Sequence, residues 1–207
     1  VKGAVGDVVE ASHLFAREFM EKLLGNNLSI IALGGLPFEA QDTVVSTILR
    51  LLWQFIVKER IEHGVYHPTL IVIEEAHVYA NRYRATSSRE VISRIAREGR
   101  KFGISLGLVS QRPRELEDAV LSQCGNLIAL RTVNPSDQEY ILKTMEDVLK
   151  ELIDSLASLE TGEALITGPA ITFPSLIKVH DFTRLYGAKL GGKDVDFRAH
   201  WSEQPSS

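Results

Sequence analysis

Residues 70–77 read Leu70-Ile71-Val72-Ile73-Glu74-Glu75-Ala76-His77, four apolar residues followed directly by two carboxylates. The apolar residues are rich in β-branched types, which is typical of a strand buried in a parallel sheet. In α/β folds, ligands bind at the carboxyl ends of such strands. The stretch therefore predicts a strand that presents two acidic side chains at a binding edge of the sheet.

The sequence on either side of this strand alternates between helical and strand patterns. Helices are predicted at residues 7–24, 37–62, 87–102, 116–122 and 135–159, and strands at residues 28–33, 70–73, 105–109, 127–130, 163–167 and 176–179. This alternation predicts an α/β fold with a mostly parallel sheet and helices on both faces.

Composition is typical of a cytoplasmic globular protein with one core. The chain has 207 residues, of which 44% are hydrophobic and 24% charged, values that are ordinary for a soluble domain. We expect no secretory leader and no membrane-spanning helix, because no apolar run is long enough. Cys124 is the single cysteine, which excludes an internal disulfide and fits a reducing compartment.

Charge is distributed unevenly along the chain. The net charge is −4, yet the segment 82–101 contains seven cations and two anions and is therefore +5, which leaves −9 for the rest. A basic segment on an acidic body indicates one local anionic partner, such as phosphate or DNA.

Three groups of residues along the chain could act on a nucleotide. Glu74 and Glu75 suit a Walker B strand, in which one acid holds Mg²⁺ and a second group activates the attacking water. Gln111 follows the next predicted strand, and its amide can bridge a water and a phosphate oxygen. Considered singly, the glutamates are also consistent with a surface turn after an edge strand, and Gln111 with an ordinary polar turn.

The third group is basic. Arg97 and Arg100 lie near the end of the predicted basic helix. An arginine supplied by a neighbouring subunit can neutralise charge on a γ-phosphate and is worth roughly 10³–10⁵ in rate. A solvated helix end is the alternative, since cations are favourable near a helix C-terminus, and Lys101 suits that alternative better than Arg100.

Taken together and in this order, these motifs resemble the HerA branch of the HerA/FtsK superfamily of ring-forming ATPases. The resemblance covers roughly residues 28–180. Its motifs are Leu28-Ser29-Ile30-Ile31-Ala32-Leu33-Gly34-Gly35-Leu36-Pro37, Ile73-Glu74-Glu75-Ala76-His77, Ala96-Arg97-Glu98-Gly99-Arg100-Lys101-Phe102-Gly103, Ser110-Gln111-Arg112-Pro113, Asn134-Pro135-Ser136-Asp137-Gln138 and Thr161-Gly162-Glu163-Ala164-Leu165-Ile166.

The resemblance implies a RecA-like P-loop ATPase core in a hexameric ring that translocates double-stranded DNA. Motors of this type work with the NurA nuclease in the resection of DNA ends. By position, Glu75 is the residue that activates water, Glu74 faces Mg²⁺ through a water, and Gln111 senses the γ-phosphate of ATP. Arg100 is the first candidate for the arginine finger and Arg97 the second.

The chain departs from the family in one respect. No Gly-x-x-x-x-Gly-Lys-Ser/Thr phosphate loop occurs in the 207 residues, and Gly191-Gly192-Lys193-Asp194 lacks its spacing and hydroxyl residue. We therefore expect the C-terminal part of a longer protein, inactive by itself. It would consist of a helical leading segment (1–27), the C-terminal part of the ATPase domain (28–180) and a tail (181–207).

Several alternatives stay open at this point. Arg82, Tyr83 and Arg84 could hold DNA phosphates at a loop tip or pack against a neighbouring subunit. His77 could contact nucleotide, link the site to DNA or make a structural hydrogen bond. A conjugation-type or DNA-packaging motor would carry the same motifs, and a non-catalytic ring module that kept the motor fold is the alternative from another class.

Overall fold

The computed structural model describes residues 16–144 and 155–187 of the chain. The elements in chain order are helix α1 (residues 16–24), α2 (Phe38–Glu62), strand β1 (Thr69–Ile73), α3 (Ala76–Tyr79), α4 (Ser87–Glu98), β2 (Ile104–Leu108), α5 (Asp118–Leu121), β3 (Leu127–Leu130), α6 (Pro135–Thr144), β4 (Glu163–Thr167), β5 (Ser175–Lys178) and α7 (Phe182–Tyr186). Short 3-10 helices at Gly99–Phe102 and Pro113–Glu115 precede and follow β2.

Parts of three predicted segments lie outside the described residues. They are the first half of the helix predicted at 7–24, the middle of the helical region predicted at 135–159, and most of the tail 181–207, including residues 191–194. The division of the chain at residues 27 and 180 stays a prediction.

Strands β1 and β2 form a parallel pair. Thr69 lies opposite Ile104 and Ile73 lies opposite Leu108, so the two strands start and end side by side. The strands predicted at 70–73 and 105–109 are confirmed to within one residue at each end. This alignment brings whatever follows Ile73 next to whatever follows Leu108.

The main core lies between this pair and the helices α2 and α4. Ile56 of α2, Ile92 of α4 and Ile104 of β2 are at most 1% exposed. The ring of Trp53 meets that of Phe102 edge-on, with 5.3 Å between centroids. Burying each such side chain contributes about 1.5–3 kcal/mol, which holds α4 firmly against the strand pair.

The opposite face of β1 is open. Leu70 is 66% exposed and Val72 56% exposed, while Ile73 is buried, as alternation along a strand requires. The expectation of helices on both faces is therefore wrong for the described residues, because α2 and α4 both pack on the same face.

The expectation of a mostly parallel sheet holds for β1 and β2 but is wrong for the other three described strands. Strand β4 lies between β3 and β5 and is antiparallel to both, in a sheet separate from β1 and β2. The connection from β4 to β5 is too short for the crossover of a dozen or more residues that parallel neighbours need. A second, smaller core supports this sheet, formed by Ala129, Ile141, Leu156, Leu159 and Leu165.

The strand predicted at residues 28–33 is wrong as well. These residues have no regular structure, and Leu28 and Ile30 are 76% and 82% exposed. A strand needs a neighbour to satisfy its backbone groups. None of the described strands pairs with this segment, so its apolar side chains have no sheet in which to be buried.

Helix α2 is the longest described element, with 25 residues. It follows Pro37, whose fixed φ suits the start of a helix. Leu49, Trp53 and Ile56 form a buried stripe at helical spacing. Among the described residues, neither α2 nor any other helix combines the length and apolar character needed to cross a bilayer.

Candidate active site

Backbone hydrogen bonds continue beyond the ends of β1 and β2. The Val109 N–H donates to the Ile73 carbonyl (3.0 Å), and the Ala76 N–H donates to the Val109 carbonyl (2.8 Å). These bonds fix the segment that contains Glu74 and Glu75 next to the segment that contains Gln111. We call this end of the pair the carboxyl edge.

Glu75 has an unusual backbone conformation. Its φ of 49° and ψ of 42° are left-handed, and no other described residue except glycine has a positive φ. This conformation costs a residue with a Cβ roughly 1–2 kcal/mol. Such strain concentrates at functional sites, where the surrounding structure enforces it. Here the turn at Glu75 ends β1 and starts α3, so the side chains of Glu74 and Glu75 leave the backbone in different directions.

The Glu75 carboxylate is joined directly to Gln111. Nε2 of Gln111 donates a hydrogen bond to Oε1 of Glu75 over 3.0 Å. An ionised carboxylate only accepts hydrogen bonds, so the amide must direct its NH₂ group at Glu75. The Glu75 side chain is 50% exposed, and Gln111 is exposed too. A ligand that arrives from solvent can therefore reach both groups.

His77 and Ser110 complete a cluster behind Glu75. His77 is buried, and its Nδ1 lies 3.1 Å from Oγ of Ser110 and 3.4 Å from Oε2 of Glu75. Oγ of Ser110 also accepts a hydrogen bond from the N–H of Arg112 (3.0 Å). We call Glu75, His77, Ser110 and Gln111 the edge cluster. The sequence did not predict the contacts of His77 with Ser110 and Glu75, because two residues on different strand ends carry no shared local pattern.

Glu74 lies beside this cluster but outside it. Its side chain is exposed, and no hydrogen bond or ion pair within the described residues involves its carboxylate. No group of three or more His, Cys, Asp or Glu side chains in the described part of the chain could hold a metal ion. Glu74 is therefore an open acidic group at the carboxyl edge rather than one ligand of a protein cage.

Arg97 and Arg100 lie at the opposite end of the strand pair, which we call the amino edge. Arg97 is in the last turn of α4, and Arg100 is in the 3-10 helix before β2. The five residues of β2 separate them from the edge cluster by about 13 Å of strand. Both are exposed, and neither joins an ion pair within the described residues. The structure does not bring them to Glu75 and Gln111 of the same chain.

The loop that follows α3 contains Arg82, Tyr83 and Arg84. Arg82 forms an ion pair with Asp118, and its guanidinium lies 5.1 Å from the centre of the Tyr140 ring. The guanidinium of Arg84 stacks on Phe38 at 4.5 Å. Tyr83 is 75% exposed. Arg82 thus makes its contacts within the chain, whereas Tyr83 lies at the surface.

A buried carboxylate that sequence analysis missed anchors the start of α4. Oδ2 and Oδ1 of Asp42 accept hydrogen bonds from the backbone N–H groups of Ser87 (2.7 Å) and Ser88 (3.0 Å). The Ser88 hydroxyl also donates to Asp42 and lies 3.0 Å from the carbonyl of Tyr79, at the end of α3. Burial alone would raise the pKa of Asp42, but these hydrogen bonds outweigh burial and lower it.

This anchor could not be found from local sequence. The Asp42 carboxylate caps a helix more than forty residues further along the chain. A capping search examines only the residues next to a helix start. The anchor ties α2, α3 and α4 together directly behind the edge cluster.

Comparison with known proteins identifies the family. The sequence profile described as Helicase HerA-like C-terminal matches residues 44–179. The DNA double-strand break repair helicase HerA of Pyrococcus furiosus is 43% identical over 141 residues, which cover 66% of this chain and 26% of the relative. That of Sulfolobus acidocaldarius is 37% identical over 186 residues, which cover 89% and 37%. The chain therefore spans well under half the length of these curated relatives.

Two solved structures are similar in fold. VirB4 of Thermoanaerobacter pseudethanolicus has a TM-score of 0.55 at 18% identity, over 72% of this chain and 39% of that one. B204, the DNA-packaging ATPase from Sulfolobus Turreted Icosahedral Virus, has a TM-score of 0.52 at 19% identity, over 83% and 92%. At such low identity the similarity indicates a shared α/β fold alone. The profile match, however, covers more than half of the 207 residues, and the chain belongs to the Helicase HerA-like C-terminal family.

Proposed function

We propose that this chain is the C-terminal motor part of an ATP-driven double-stranded DNA translocase or helicase that acts in DNA end resection. The observation that carries the proposal is the contact between Glu75 and Gln111 at the carboxyl edge. It joins a carboxylate that can accept a proton to an amide that can bind a phosphate oxygen, and both are open to solvent. The relatives named as DNA repair helicases support the DNA substrate.

In this proposal Glu75 is the base for ATP hydrolysis. It accepts a proton from the attacking water while the water oxygen bonds to the γ-phosphorus and the bond to the β-phosphate oxygen breaks. Gln111 donates to a γ-phosphate oxygen. The two side chains bind each other in this structure, and in this proposal Gln111 turns from Glu75 to the γ-phosphate when the nucleotide binds.

The site also suits the Mg²⁺ ion that accompanies ATP. Mg²⁺ in such sites keeps several waters and takes one or two carboxylates together with phosphate oxygens. Glu74, which is exposed and has no partner among the described residues, fits that requirement through a metal-bound water. When bound, the ion neutralises charge on the phosphates.

The remaining parts of the site come from elsewhere in this proposal. The 207 residues contain no phosphate-binding loop motif, so we propose that the loop lies outside them. Arg100, or else Arg97, is exposed at the amino edge and enters the site of a neighbouring subunit. This arrangement requires an oligomer, which we propose to be a hexameric ring, and a NurA-like nuclease is its proposed partner at DNA ends.

The test uses the full-length protein that contains this region and a phosphate loop. Changing Glu75→Gln should leave ATP binding within about twofold of the unchanged protein and lower hydrolysis by about 10²–10⁴, the usual contribution of a general base. The matched control is Glu62→Gln, an amide substitution at an exposed glutamate in the last turn of α2 that pairs with Lys58, which should leave hydrolysis unchanged.

Near-normal turnover in the Glu75→Gln protein would refute its role as the base. If the unchanged full-length protein binds no ATP in the presence of Mg²⁺, the region belongs instead to a non-catalytic ring module. If it binds and hydrolyses ATP but gains no rate from double-stranded DNA, the proposed substrate is wrong while the chemistry stands.

A further inference from the structure

We propose that His77 is a positioning residue for Glu75, and that Ser110 holds the His77 ring in place. The proposal rests on the proposed role of Glu75 as the base. His77 is the buried member of the edge cluster, and its Nδ1 lies within 3.4 Å of both Ser110 Oγ and Glu75 Oε2. A buried side chain thus contacts the Glu75 carboxylate, whose orientation determines whether it can accept a proton from water.

The partners of Nδ1 define which ring nitrogen carries the proton. Glu75 can only accept a hydrogen bond, so its approach to Nδ1 is favourable only when Nδ1 is protonated. The Ser110 hydroxyl has two acceptor sites, and the N–H of Arg112 occupies one of them. A single Nδ1–H directed between Ser110 Oγ and Glu75 Oε2 satisfies both contacts of Nδ1 and leaves the Arg112 N–H bond to Ser110 in place. The geometry therefore assigns the Nδ1–H tautomer to His77.

The role follows from what remains when Gln111 moves. Within the described residues, the side-chain partners of the Glu75 carboxylate are Gln111 and His77. If Gln111 turns to a γ-phosphate, His77 is the remaining group that orients Glu75. The ring can do so because it is fixed: it is only 9% exposed, and its own backbone carbonyl accepts a hydrogen bond from Asn81 (2.8 Å).

The simpler alternative is that His77 only fills space next to Ala76 and Tyr79, which are also buried. The two interpretations differ in which atom matters. Positioning requires a donor at Nδ1, whereas filling space requires only a side chain of similar size. The amide nitrogen of Asn reaches the place of Nδ1, and that of Gln reaches the place of Nε2, so these two substitutions separate the interpretations.

The experiment compares His77→Asn, His77→Gln and His77→Phe in the full-length protein, with kcat and KM for ATP as readouts. A hydrogen bond to a charged group contributes about 1.5–3 kcal/mol, which corresponds to roughly 10–100-fold in rate. We expect His77→Gln and His77→Phe to lower kcat by that factor with little change in KM, and His77→Asn to stay within about threefold. His63→Phe, at an exposed histidine beside Glu59, is the matched control and should have no effect.

A second comparison ties the effect to Glu75. In a Glu75→Gln background, His77→Gln should cause no further loss, because the carboxylate that it orients is absent. Ser110→Ala should lower kcat in the same way but less, and it keeps the test usable if His77→Phe does not fold.

Three results would overturn the proposal: unchanged kcat in His77→Gln, equal losses in His77→Asn and His77→Gln, or a higher KM at constant kcat. The last of these would mean that His77 binds nucleotide. None of them touches the proposed function, which fails separately if Glu75→Gln retains turnover.

Discussion

The candidate site residues at the two ends of the β1–β2 pair differ in how far the chain itself holds them. At the carboxyl edge, Glu75 is held by a strained backbone and contacts both Gln111 and His77. At the amino edge, Arg97 and Arg100 are exposed and have no ion-pair partner within the described residues. At one end the side chains contact each other within the chain, and at the other the two arginines are exposed to solvent.

This difference indicates how a site of this kind is divided. A proton acceptor must be placed accurately relative to water, so its neighbours must be rigid and belong to the same chain. An arginine that acts between subunits must instead be exposed, where it keeps its rotamer freedom until binding to the neighbouring subunit orders it. About 13 Å of strand is too far for Arg100 to serve the Glu75 of its own chain, so we expect each edge to complete the other in an adjacent subunit.

The largest expected effect comes from removing the cation at the amino edge. In the full-length protein, Arg100→Ala should lower ATP hydrolysis by about 10³ or more, the usual contribution of an arginine finger, while ATP binding persists. Lys101→Ala is the matched control, because Lys101 is the neighbouring exposed cation, and it should lower hydrolysis less than tenfold. Steady-state phosphate release, measured for both variants, shows whether the loss is specific to Arg100. Equal losses in the two variants would contradict a finger role for Arg100.

Mixed rings sharpen the same comparison. Rings that combine Arg100→Ala with Glu75→Gln subunits should recover part of the lost hydrolysis, since some interfaces then pair an intact Glu75 with an intact Arg100. Absence of any recovery would mean that Arg100 does not act between subunits. If Arg97→Ala shows the larger loss and the recovery instead, the finger is Arg97 and the division of the site stands.

Much of the fold around this site could be predicted because local signals agree with the packing. Continuous apolar runs placed β1 and β2, and Pro37 placed the start of α2, each to within one residue. The errors concern longer-range pairing. The apolar pattern of residues 28–33 suits a strand, yet a strand forms only beside a neighbour, and none of the described strands provides one. The antiparallel order of β3, β4 and β5 likewise depends on connections, not on the strands' own residues.

The features of the candidate site also separate into those that local sequence predicts and those that depend on distant residues. Glu75 and Gln111 could be paired in advance, because each follows a strand and parallel strands end at one edge. The contact of His77 with Ser110, the left-handed backbone of Glu75 and the cap provided by Asp42 could not. Each depends on where a distant residue arrives in space, which no periodicity or capping rule encodes. The Mg²⁺ role of Glu74 and the finger role of Arg100 stay predictions.

A medium effect is expected where α4 is attached near the carboxyl edge. Asp42→Asn should lower the free energy of unfolding by about 1–2 kcal/mol at neutral pH, because an amide cannot accept all the hydrogen bonds that Ser87 and Ser88 direct at the carboxylate. Urea denaturation of the chain measures this loss. Glu90→Gln removes an exposed glutamate in the same turn of α4, whose ion pair with Arg50 is open to solvent, and should cost under about 0.5 kcal/mol.

The loss should also depend on pH in a defined direction. The hydrogen bonds lower the pKa of Asp42 in the folded chain, relative to an unfolded value of about 3.9. The ionised group therefore contributes its full stabilisation above about pH 4 and loses it as the pH falls through the lowered pKa. The difference between the unchanged chain and Asp42→Asn should be constant from pH 7 to 5 and shrink below pH 4. A difference that grows in acid would contradict the assigned direction.

The smallest effects are expected in the loop between α3 and α4, where contacts within the chain compete with a role in DNA binding. Arg82 is paired with Asp118 and lies against Tyr140, so Arg82→Ala should lower the stability of the chain by up to about 1 kcal/mol. The Arg84 side chain is held less tightly than that of Arg82, by a ring contact with Phe38. If the loop binds DNA, Arg84→Ala should therefore weaken binding more than Arg82→Ala and reduce the slope of log affinity against log salt by about one. Each guanidinium that neutralises a DNA phosphate releases a counterion, which makes the affinity more dependent on salt. Equal salt slopes in both variants and the unchanged protein would therefore mean that the loop packs within the protein and does not bind DNA.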